Sequence, residues 1–372
     1  MSINSILKRE GITVVEQLDT LKVNTIASTI AGKLCAAFPE HNLSKSDIFA
    51  SFCRMNMYIA SMPNDHSSAK YFYKNNSIYF NEYVDFKDIP NVAMHECIHF
   101  LQEVKDASGN LVCMGLYNMA SGSGINEAAV QLMASEATGM LPSKELYYNI
   151  SINTVSPDYY PLECTLLKEI TYFTGTYPLY HSTLNSNDVF KNTFINKSDS
   201  KTYTTVQKNF DKLLGLEDDL GYFMSEMQYE LKPSGIKLLN SLANSKKKEI
   251  VSLFFETQNL IIKKFFTNEF NSIRSLEDLD AFKQRCYNFK DVVGATDGYE
   301  FYTKFYVHMM EALDSKKECI EDFGEINLYE KMNTSLMLVD NTKSVLAFVN
   351  TFFRKIKKLF NRDSVVENIN QW

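Results

Sequence analysis

The sequence lacks a surplus of basic residues. Its 38 lysines and arginines stand against 45 aspartates and glutamates, which gives a formal net charge of −7. A general nucleic-acid-binding protein needs cationic side chains to neutralise phosphates. The composition therefore argues against nucleic acid as a partner, and it leaves peptides and small molecules open as ligands.

Long apolar runs are also lacking, which bears on where the protein is expected to work. Residues 1–19 mix charges into their apolar pattern, so we expect no secretory signal. No run approaches the length of a transmembrane helix, so we expect no membrane span. The seven cysteines are odd in number and form no C-x-x-C pair, which fits a protein in a reducing intracellular compartment better than one with a disulfide framework. These absences predict a cytoplasmic protein.

Several motifs that identify other enzyme classes are missing. The sequence has no phosphate-cradling glycine loop, no G-x-S-x-G elbow and no zinc-finger spacing. Histidine is scarce, with six among 372 residues. A composition so poor in histidine would place an H-E-x-x-H motif in roughly 1% of chains of this size by chance.

That motif is present as His95-Glu96-Cys97-Ile98-His99. On a helix, His95 and His99 lie one turn apart on the same face, where two imidazoles can bind one Zn²⁺. Glu96 is rotated by about 100° from His95, which places its carboxylate beside the metal as a base for a zinc-bound water. The alternative is a half-buried helix that carries two idle histidines.

A third zinc ligand is predicted on the next helix. Glu127 lies in an otherwise apolar segment, residues 125–133, so the glutamate is expected to be largely buried. A buried carboxylate is costly unless it is paired or bound to a cation. Glu127 would complete a three-ligand catalytic zinc site with an open position for water. The alternative is a first-turn glutamate that interacts only with the helix dipole.

Together, His95-Glu96-x-x-His99 and Asn126-Glu127-Ala128 resemble the gluzincin metalloproteases over roughly residues 65–140. The chain is also similar to uncharacterised bacterial zincin-like proteins that carry a following Tyr-Pro-Leu-Glu-Cys-like segment, here Tyr160–Cys164. The resemblance implies zinc bound by His95, His99 and Glu127, with Glu96 as the general base of a peptidase. It also implies a small sheet whose edge strand binds an extended peptide or protein substrate.

The resemblance is incomplete in the supporting residues. Gln131 stands where gluzincins usually carry an aspartate that orients a histidine, and an amide leaves the imidazole less basic than a carboxylate does. Asn126 is the corresponding candidate for the other histidine. The linker between His99 and Glu127 is also longer than in thermolysin, the familiar member of the family.

No clear match exists for the residues that stabilise the oxyanion in those enzymes, although a tetrahedral intermediate needs a donor besides zinc. Tyr117 and His181, the latter together with its neighbour Tyr180, are the predicted donors, and Tyr172 and Tyr177 are weaker alternatives. The missing match and Gln131 sustain an alternative function. In it, the protein is a catalytically weak or inactive zincin-fold protein that binds a peptide or protein partner.

The predicted fold class is α+β, a small zincin-like sheet on the active-site helix with a mostly helical C-terminal part. We divide the chain into a helical segment 1–64, a metal-binding core 65–150 and a helical domain 151–372. The pattern predicts strands at Ala69–Tyr73 and Ser77–Val84, and we assign substrate pairing to Ser77–Asn81. The alternative is a hairpin that only covers a core. A loop is predicted at Ser182–Thr205. Helices are predicted at Thr25–Phe38, Ser46–Met62, Asn91–Val104, Ile125–Ala137, Leu162–Phe173, Ile250–Phe270, Ser275–Phe289, Glu300–Leu313 and Thr342–Phe360.

The last of these helices is basic and amphipathic over Val345–Phe360. Such a pattern is compatible with contact to an anionic membrane surface or to a partner protein. More often it belongs to a terminal helix docked on its own domain. The sequence does not indicate an oligomeric state.

Overall fold

A four-stranded sheet is formed by strands from residues 13–81. The computed structural model describes residues 7–62, 67–230, 232–293 and 299–323. Strands β1 (Thr13–Gln17), β2 (Asn56–Ser61), β3 (Ala69–Phe72) and β4 (Ser77–Asn81) lie in the order β1-β2-β4-β3. β2 and β4 run parallel, whereas the outer strands pair antiparallel to them. The predicted hairpin is confirmed as β3 and β4.

The strand that we assigned to substrate pairing is the wrong member of that hairpin. β4 is hydrogen-bonded on both sides, to β2 and to β3, and all five of its residues are buried. It therefore has no edge to offer to a peptide. The edge belongs to β3, the other strand of the hairpin.

The predicted helix Ser46–Met62 is wrong in its second half. The structure has helix α1 (Thr20–Ala37), helix α2 (Lys45–Phe52) and then β2. The segment of β2 pairs with strands on both sides, and this tertiary pairing overrides the apolar spacing that suggested a longer helix.

Two helices that follow the sheet carry the predicted ligands. Helix α3 (Ile89–Gln102) has Pro90 in its first turn and packs against β3 and α1. A short hairpin of β5 (Glu103–Lys105) and β6 (Leu111–Met114) leads to helix α4 (Ser123–Thr138), which packs against α3. Both helices were predicted within about two residues of their observed ends.

A second short hairpin and a run of helices complete the first part of the chain. Strands β7 (Ser143–Tyr147) and β8 (Ile150–Thr154) were not predicted. The helices that follow are α5 (Pro161–Thr174), α6 (Thr176–Asn185), α7 (Val189–Lys197), α8 (Ser200–Tyr229) and α9 (Pro233–Ser272). The helices predicted at Leu162–Phe173 and Ile250–Phe270 are thereby confirmed.

The loop predicted at Ser182–Thr205 is wrong, because this segment contains α7 and parts of α6 and α8. Its polar residues act at helix ends: the Asp199 side chain accepts the Thr202 backbone N–H and caps α8. Phe190 and Phe194 are fully buried and anchor α7. A few large apolar side chains therefore outweigh the polar composition of the segment.

The chain divides into two compact units, Met1–Leu260 and Ile261–Trp372. The predicted boundaries after residues 64 and 150 both fall inside the first unit, where α4 packs against α5 and α8. The second unit contains α10 (Leu276–Val293) and α11 (Tyr299–Phe323), which confirms the helices predicted at Ser275–Phe289 and Glu300–Leu313.

The described residues confirm the α+β class through these helices and small sheets. None of the helices in the described ranges combines the length and apolar character needed to cross a membrane. The basic helix predicted at Thr342–Phe360 lies outside the described residues.

Candidate metal centre

Three predicted ligands converge on one point between α3 and α4. His95 and His99 project from the same face of α3, and their Nε2 atoms lie 3.0 Å apart. The Glu127 Oε2 atom of α4 lies 3.1 Å from His95 Nε2 and 3.3 Å from His99 Nε2. Within the described part of the chain, these three residues form the one group of three or more histidine, cysteine, aspartate or glutamate side chains that could hold a metal ion.

The separations between these atoms fit a small divalent cation. Zn²⁺ binds imidazole nitrogens at about 2.0–2.1 Å, and two ligands of a tetrahedron then lie about 3.3 Å apart. The three observed separations, 3.0, 3.1 and 3.3 Å, are close to that distance. Two imidazoles and a carboxylate are also a donor set of catalytic zinc sites. The residues present therefore fit a bound metal ion.

The charges of His99 and Glu127 depend on each other. Burial alone would lower the pKa of His99, but the Glu127 carboxylate beside it overcomes this effect and raises the pKa to about 9. Burial would raise the pKa of Glu127, and the two imidazoles hold it far below its usual range instead. The site therefore favours one positive charge held among these three side chains, which either a proton or a metal ion can supply.

A glutamine amide orients His95. Gln131 Oε1 lies 2.9 Å from His95 Nδ1, and the Gln131 amide nitrogen donates to the Ser135 hydroxyl at 3.3 Å. The oxygen of this amide therefore faces the imidazole, which places the proton of His95 on Nδ1. The Nε2 lone pair is left to face the shared point. The structure thus brings Gln131 to the position that the sequence predicted.

His99 is oriented by a residue that sequence reasoning missed. Its Nδ1 atom lies 3.1 Å from Gln102 Oε1, and the Gln102 amide nitrogen donates to Asn126 Oδ1 at 3.2 Å. The prediction that Asn126 contacts this histidine is corrected: Asn126 holds Gln102, and it also accepts the Leu116 backbone N–H at 2.9 Å. Gln102 lies three residues after His99 on the same helix, a spacing that could have identified it.

Glu96 lies beside the ligands and not among them. Its Oε2 atom accepts the backbone N–H of Tyr71 in the edge strand β3 at 3.0 Å. Burial raises the pKa of Glu96, although the nearby imidazoles oppose this effect. A carboxylate with a raised pKa is better matched to proton transfer near neutral pH than an ordinary one.

Glu96 and His95 open onto a cleft of about 1120 Å³. This volume can hold several residues of a peptide, since drug-sized ligands occupy about 300–1,000 Å³. One wall is the start of β3, residues 67–70, and another includes the β7–β8 turn. The remaining walls come from α4, residues 155–161 and α8.

Tyr160 is the tyrosine that the structure places next to the ligands. It lines the cleft, and its ring centroid lies 6.0 Å from that of His95. Burial raises the pKa of Tyr160, and the carboxylates of Glu127 and Glu96 raise it further, so its hydroxyl keeps its proton. Its backbone has a φ of 50°, which is uncommon for a bulky residue. From the sequence, Tyr160 was named only as the first residue of the Tyr160–Cys164 segment, and no role was assigned to it.

The two oxyanion donors predicted from the sequence do not reach this cleft. His181 lies on α6, where its ring stacks with Tyr177 at 5.5 Å and with His41 at 6.2 Å. Tyr117 forms a turn after β6, and its backbone exchanges hydrogen bonds with Met114. Neither side chain is among those that line the cleft.

Comparisons with known proteins found no match for this chain. No protein-family model matches the chain, and no curated protein and no solved structure matches it either.

Proposed function

We propose that this protein is a zinc-dependent hydrolase with a gluzincin-type site and a zincin-like core, and that it cleaves peptide bonds. The observation that carries the proposal is the convergence of His95, His99 and Glu127 within 3.0–3.3 Å, together with the cleft that His95 and the adjacent Glu96 line. A Zn²⁺ held by these residues would act as a Lewis acid and lower the pKa of its bound water.

Glu96 supplies the proton transfers. Its Oε2 atom is engaged by the Tyr71 N–H, so Oε1 is the atom that takes a proton from the attacking water and delivers it to the leaving amine. The same hydrogen bond fixes the carboxylate relative to β3. A second contact stabilises this arrangement, since the Tyr71 hydroxyl donates to Glu103 at 2.6 Å at the end of α3.

The edge strand β3 is suited to hold a peptide backbone. The Ser68 carbonyl accepts a hydrogen bond from Asn81 of β4, so in the alternation of an antiparallel pair the backbone groups of Ala69 and Tyr71 point away from β4. The Tyr71 N–H is used by Glu96, and Ala69 is among the residues that line the cleft. Backbone pairing of this kind gives affinity without fixing the peptide's sequence.

Tyr160 takes the oxyanion role that was first assigned to His181 and Tyr117. Its protonated hydroxyl lies near the Glu127 carboxylate on the cleft side of the ligands. A donor held in advance at this position stabilises the charge that develops on the carbonyl oxygen.

The experiment compares metal content and peptide hydrolysis in the wild type and in ligand variants. Protein purified without added zinc should contain close to one zinc per chain, and both His99→Ala and Glu127→Ala should lose it. Glu96→Gln should keep the metal and lose hydrolysis of a broad panel of internally quenched peptides. Glu82→Gln is the matched control, because the same change is made on an exposed residue next to the sheet.

The possible outcomes separate the two functions considered for this chain. Peptide turnover that disappears in Glu96→Gln but not in Glu82→Gln supports the hydrolase. Zinc binding without any Glu96-dependent turnover contradicts it and favours a protein that binds peptides without cleaving them. Undiminished zinc in Glu127→Ala would remove Glu127 from the ligand set.

A further inference from the structure

One wall of the cleft is strongly acidic. Glu217 and Asp218 of α8 line it together with Asp158 from the segment before α5. Among the described residues that line the cleft, Lys70 is the one lysine or arginine, and it lies 4.0 Å from Glu10. The described lining of the cleft therefore carries more acidic than basic side chains.

A buried carboxyl behind this wall is also without a cationic partner. Glu163 is completely buried, and neither of its oxygens has a hydrogen-bond donor in the described chain. The charges that act on it most are those of Glu217 and then Asp218, so its side chain faces the acidic wall. Two carboxyl groups can hydrogen-bond only by sharing a proton. Burial raises the pKa of Glu163 and the charge of Glu217 raises it further, so the pair holds a proton when no ligand is present. A cation in the cleft would favour the charged form of these carboxyls.

Aromatic rings lie beside the same carboxyls. Tyr147 and Tyr148, at the end of β7 and in the following turn, line the cleft. The pKa of Tyr148 is raised by burial and then by the charges of Glu217 and Glu163, which shows that these groups are close to one another. Carboxylates combined with the faces of tyrosine rings are typical of sites that bind organic cations, such as ammonium and guanidinium groups.

A second metal ion fits this wall less well. A metal site needs ligand atoms that converge on one point, and in the described chain the three-ligand convergence is found at His95, His99 and Glu127. An organic cation instead tolerates carboxylates that are spread along a wall. A peptide held by its backbone along β3 would extend its side chains toward the other walls of the cleft.

We propose that Glu163, Glu217 and Asp218, with Tyr147 and Tyr148, form a specificity subsite for the cationic side chain of a lysine or arginine in the substrate. This inference rests on the proposed peptidase function, which it extends by naming the substrate class. Glu217 and Asp218 contact the cation. Glu163 acts through Glu217 as a positioning residue, because burial raises its pKa and its protonated carboxyl leaves the negative charge of the pair to Glu217.

The test measures selectivity between peptides that differ in one charge. Internally quenched peptides of otherwise uniform sequence carry arginine, lysine, citrulline or norleucine at each of five positions. The wild type should cleave the arginine or lysine peptide about ten- to a hundredfold more efficiently than the neutral one at one position, as expected for a charge-assisted contact. Glu217→Gln and Asp218→Asn should each lower this ratio.

The matched control is Asp219→Asn. Asp219 follows directly on α8, is 56% exposed and pairs with Lys246 at 2.9 Å, and it does not line the cleft. The ratio should stay at the wild-type value in this variant, which separates a local contact from a general loss of negative charge. A ratio near one in the wild type, or an equal fall in all three variants, overturns the inference.

A binding measurement keeps this inference separable from the proposed function. The affinity of Glu96→Gln protein for fluorescein-labelled arginine and citrulline peptides is measured by anisotropy. Preferential binding of arginine that Glu217→Gln removes supports the subsite, even if the wild type cleaves none of the peptides. Cleavage of neutral peptides without any preference for charge supports the hydrolase and overturns the subsite. The subsite is likewise overturned if arginine and citrulline peptides bind equally or if neither binds.

N-acetylated peptides complete the series, because a preference that acetylation abolishes would assign the wall to a free α-amine and overturn the side-chain assignment.

Discussion

At the scale of single residues, the candidate centre consists of three electron-pair donors, on His95, His99 and Glu127, that lie too close together to be stable without a cation among them. The amide oxygen of Gln131 places the proton of His95 on Nδ1, so its Nε2 atom presents a lone pair to the Glu127 carboxylate at 3.1 Å. Like-charged or lone-pair groups at such distances repel unless a proton or a metal ion lies among them. This requirement distinguishes the site from two idle histidines on a helix.

The oxyanion role of Tyr160 is tested by removing its hydroxyl. In Tyr160→Phe we expect kcat to fall about 10²- to 10³-fold, because one preorganised donor to the transition state is lost. KM and zinc content should change little, since the ring and the three ligands remain. Steady-state kinetics and metal analysis measure both. Tyr229→Phe, made on a tyrosine that is 66% exposed, controls for the loss of a hydroxyl as such.

Retention of kcat within threefold in Tyr160→Phe would contradict the assignment. A combined loss of zinc and activity would indicate instead that Tyr160 acts by holding Glu127. The two results are distinguishable, because the first leaves metal content and turnover both intact.

At the scale of structural elements, the turn between β6 and α4 supports the ligand helix α3. Gly115 has a φ of 59°, and a Cβ atom there would lie 2.2 Å from Asn126 Oδ1 and 2.3 Å from Gln102 Nε2. Gln102 contacts His99, and Asn126 in turn holds Gln102. A methyl group at this position would therefore push the amides that orient a metal ligand.

Gly115→Ala should accordingly weaken zinc binding, by about 10- to 100-fold, the usual cost of disturbing a partner of a metal ligand. It should also lower the free energy of unfolding by about 2–3 kcal/mol, from strain at positive φ and from the clash. Gly109→Ala is the control, since Gly109 has a φ of 80° but nothing within 4 Å of the added atom. Competition with a zinc chelator and denaturant unfolding measure the two effects. Equal zinc affinity in both variants would contradict the role of Gly115.

The elements also show which parts of the site a sequence can reveal. His95, Glu96 and His99 follow from spacing within one helix, and Glu127 and Gln131 from a second local pattern, so short-range rules suffice for them. β2 was mistaken for helix because its strand character depends on β1 and β4, which are distant in sequence. Tyr160 reaches the cleft only because α5 packs against α4, a long-range contact that no local pattern encodes.

At the scale of the whole molecule, the predicted division after residue 150 lies inside one compact unit, Met1–Leu260. Helices α5 and α8 of this unit pack directly on α4, which carries Glu127. The Asp211 carboxylate of α8 even accepts the backbone N–H groups of Gly122 and Gly124 at the start of α4. The helical part of the first unit therefore helps to position Glu127, and the composition of the chain gives no sign of this coupling.

The stability of the whole fold should depend on pH in opposite ways with and without metal. The folded pKa of His99 is about 9, above its ordinary value of 6.5, so its contribution is fully present below pH 6.5 and is lost as the pH rises through 9. The folded pKa of Glu127 is depressed, so its contribution is present above its ordinary value of 4.5 and is lost as the pH falls below it. Chelator-treated protein should therefore lose on the order of 3 kcal/mol between pH 6.5 and 9 from His99.

Zinc-loaded protein should not show this loss, because the metal replaces the proton on His99 and its binding grows stronger as the pH rises over the same range. Thermal unfolding at pH 5.5, 7, 8 and 9, with zinc and with chelator, measures the difference between the two forms. His99→Gln protein is the reference for all other titrating groups, and its chelated form should show a flatter profile. If the stability of chelated His99→Gln protein declines with pH as much as that of chelated wild type, the titrating group is not His99. If zinc stabilises the wild type increasingly from pH 6.5 to 9 and does not do so in His99→Gln, the stability of the fold depends on this one imidazole.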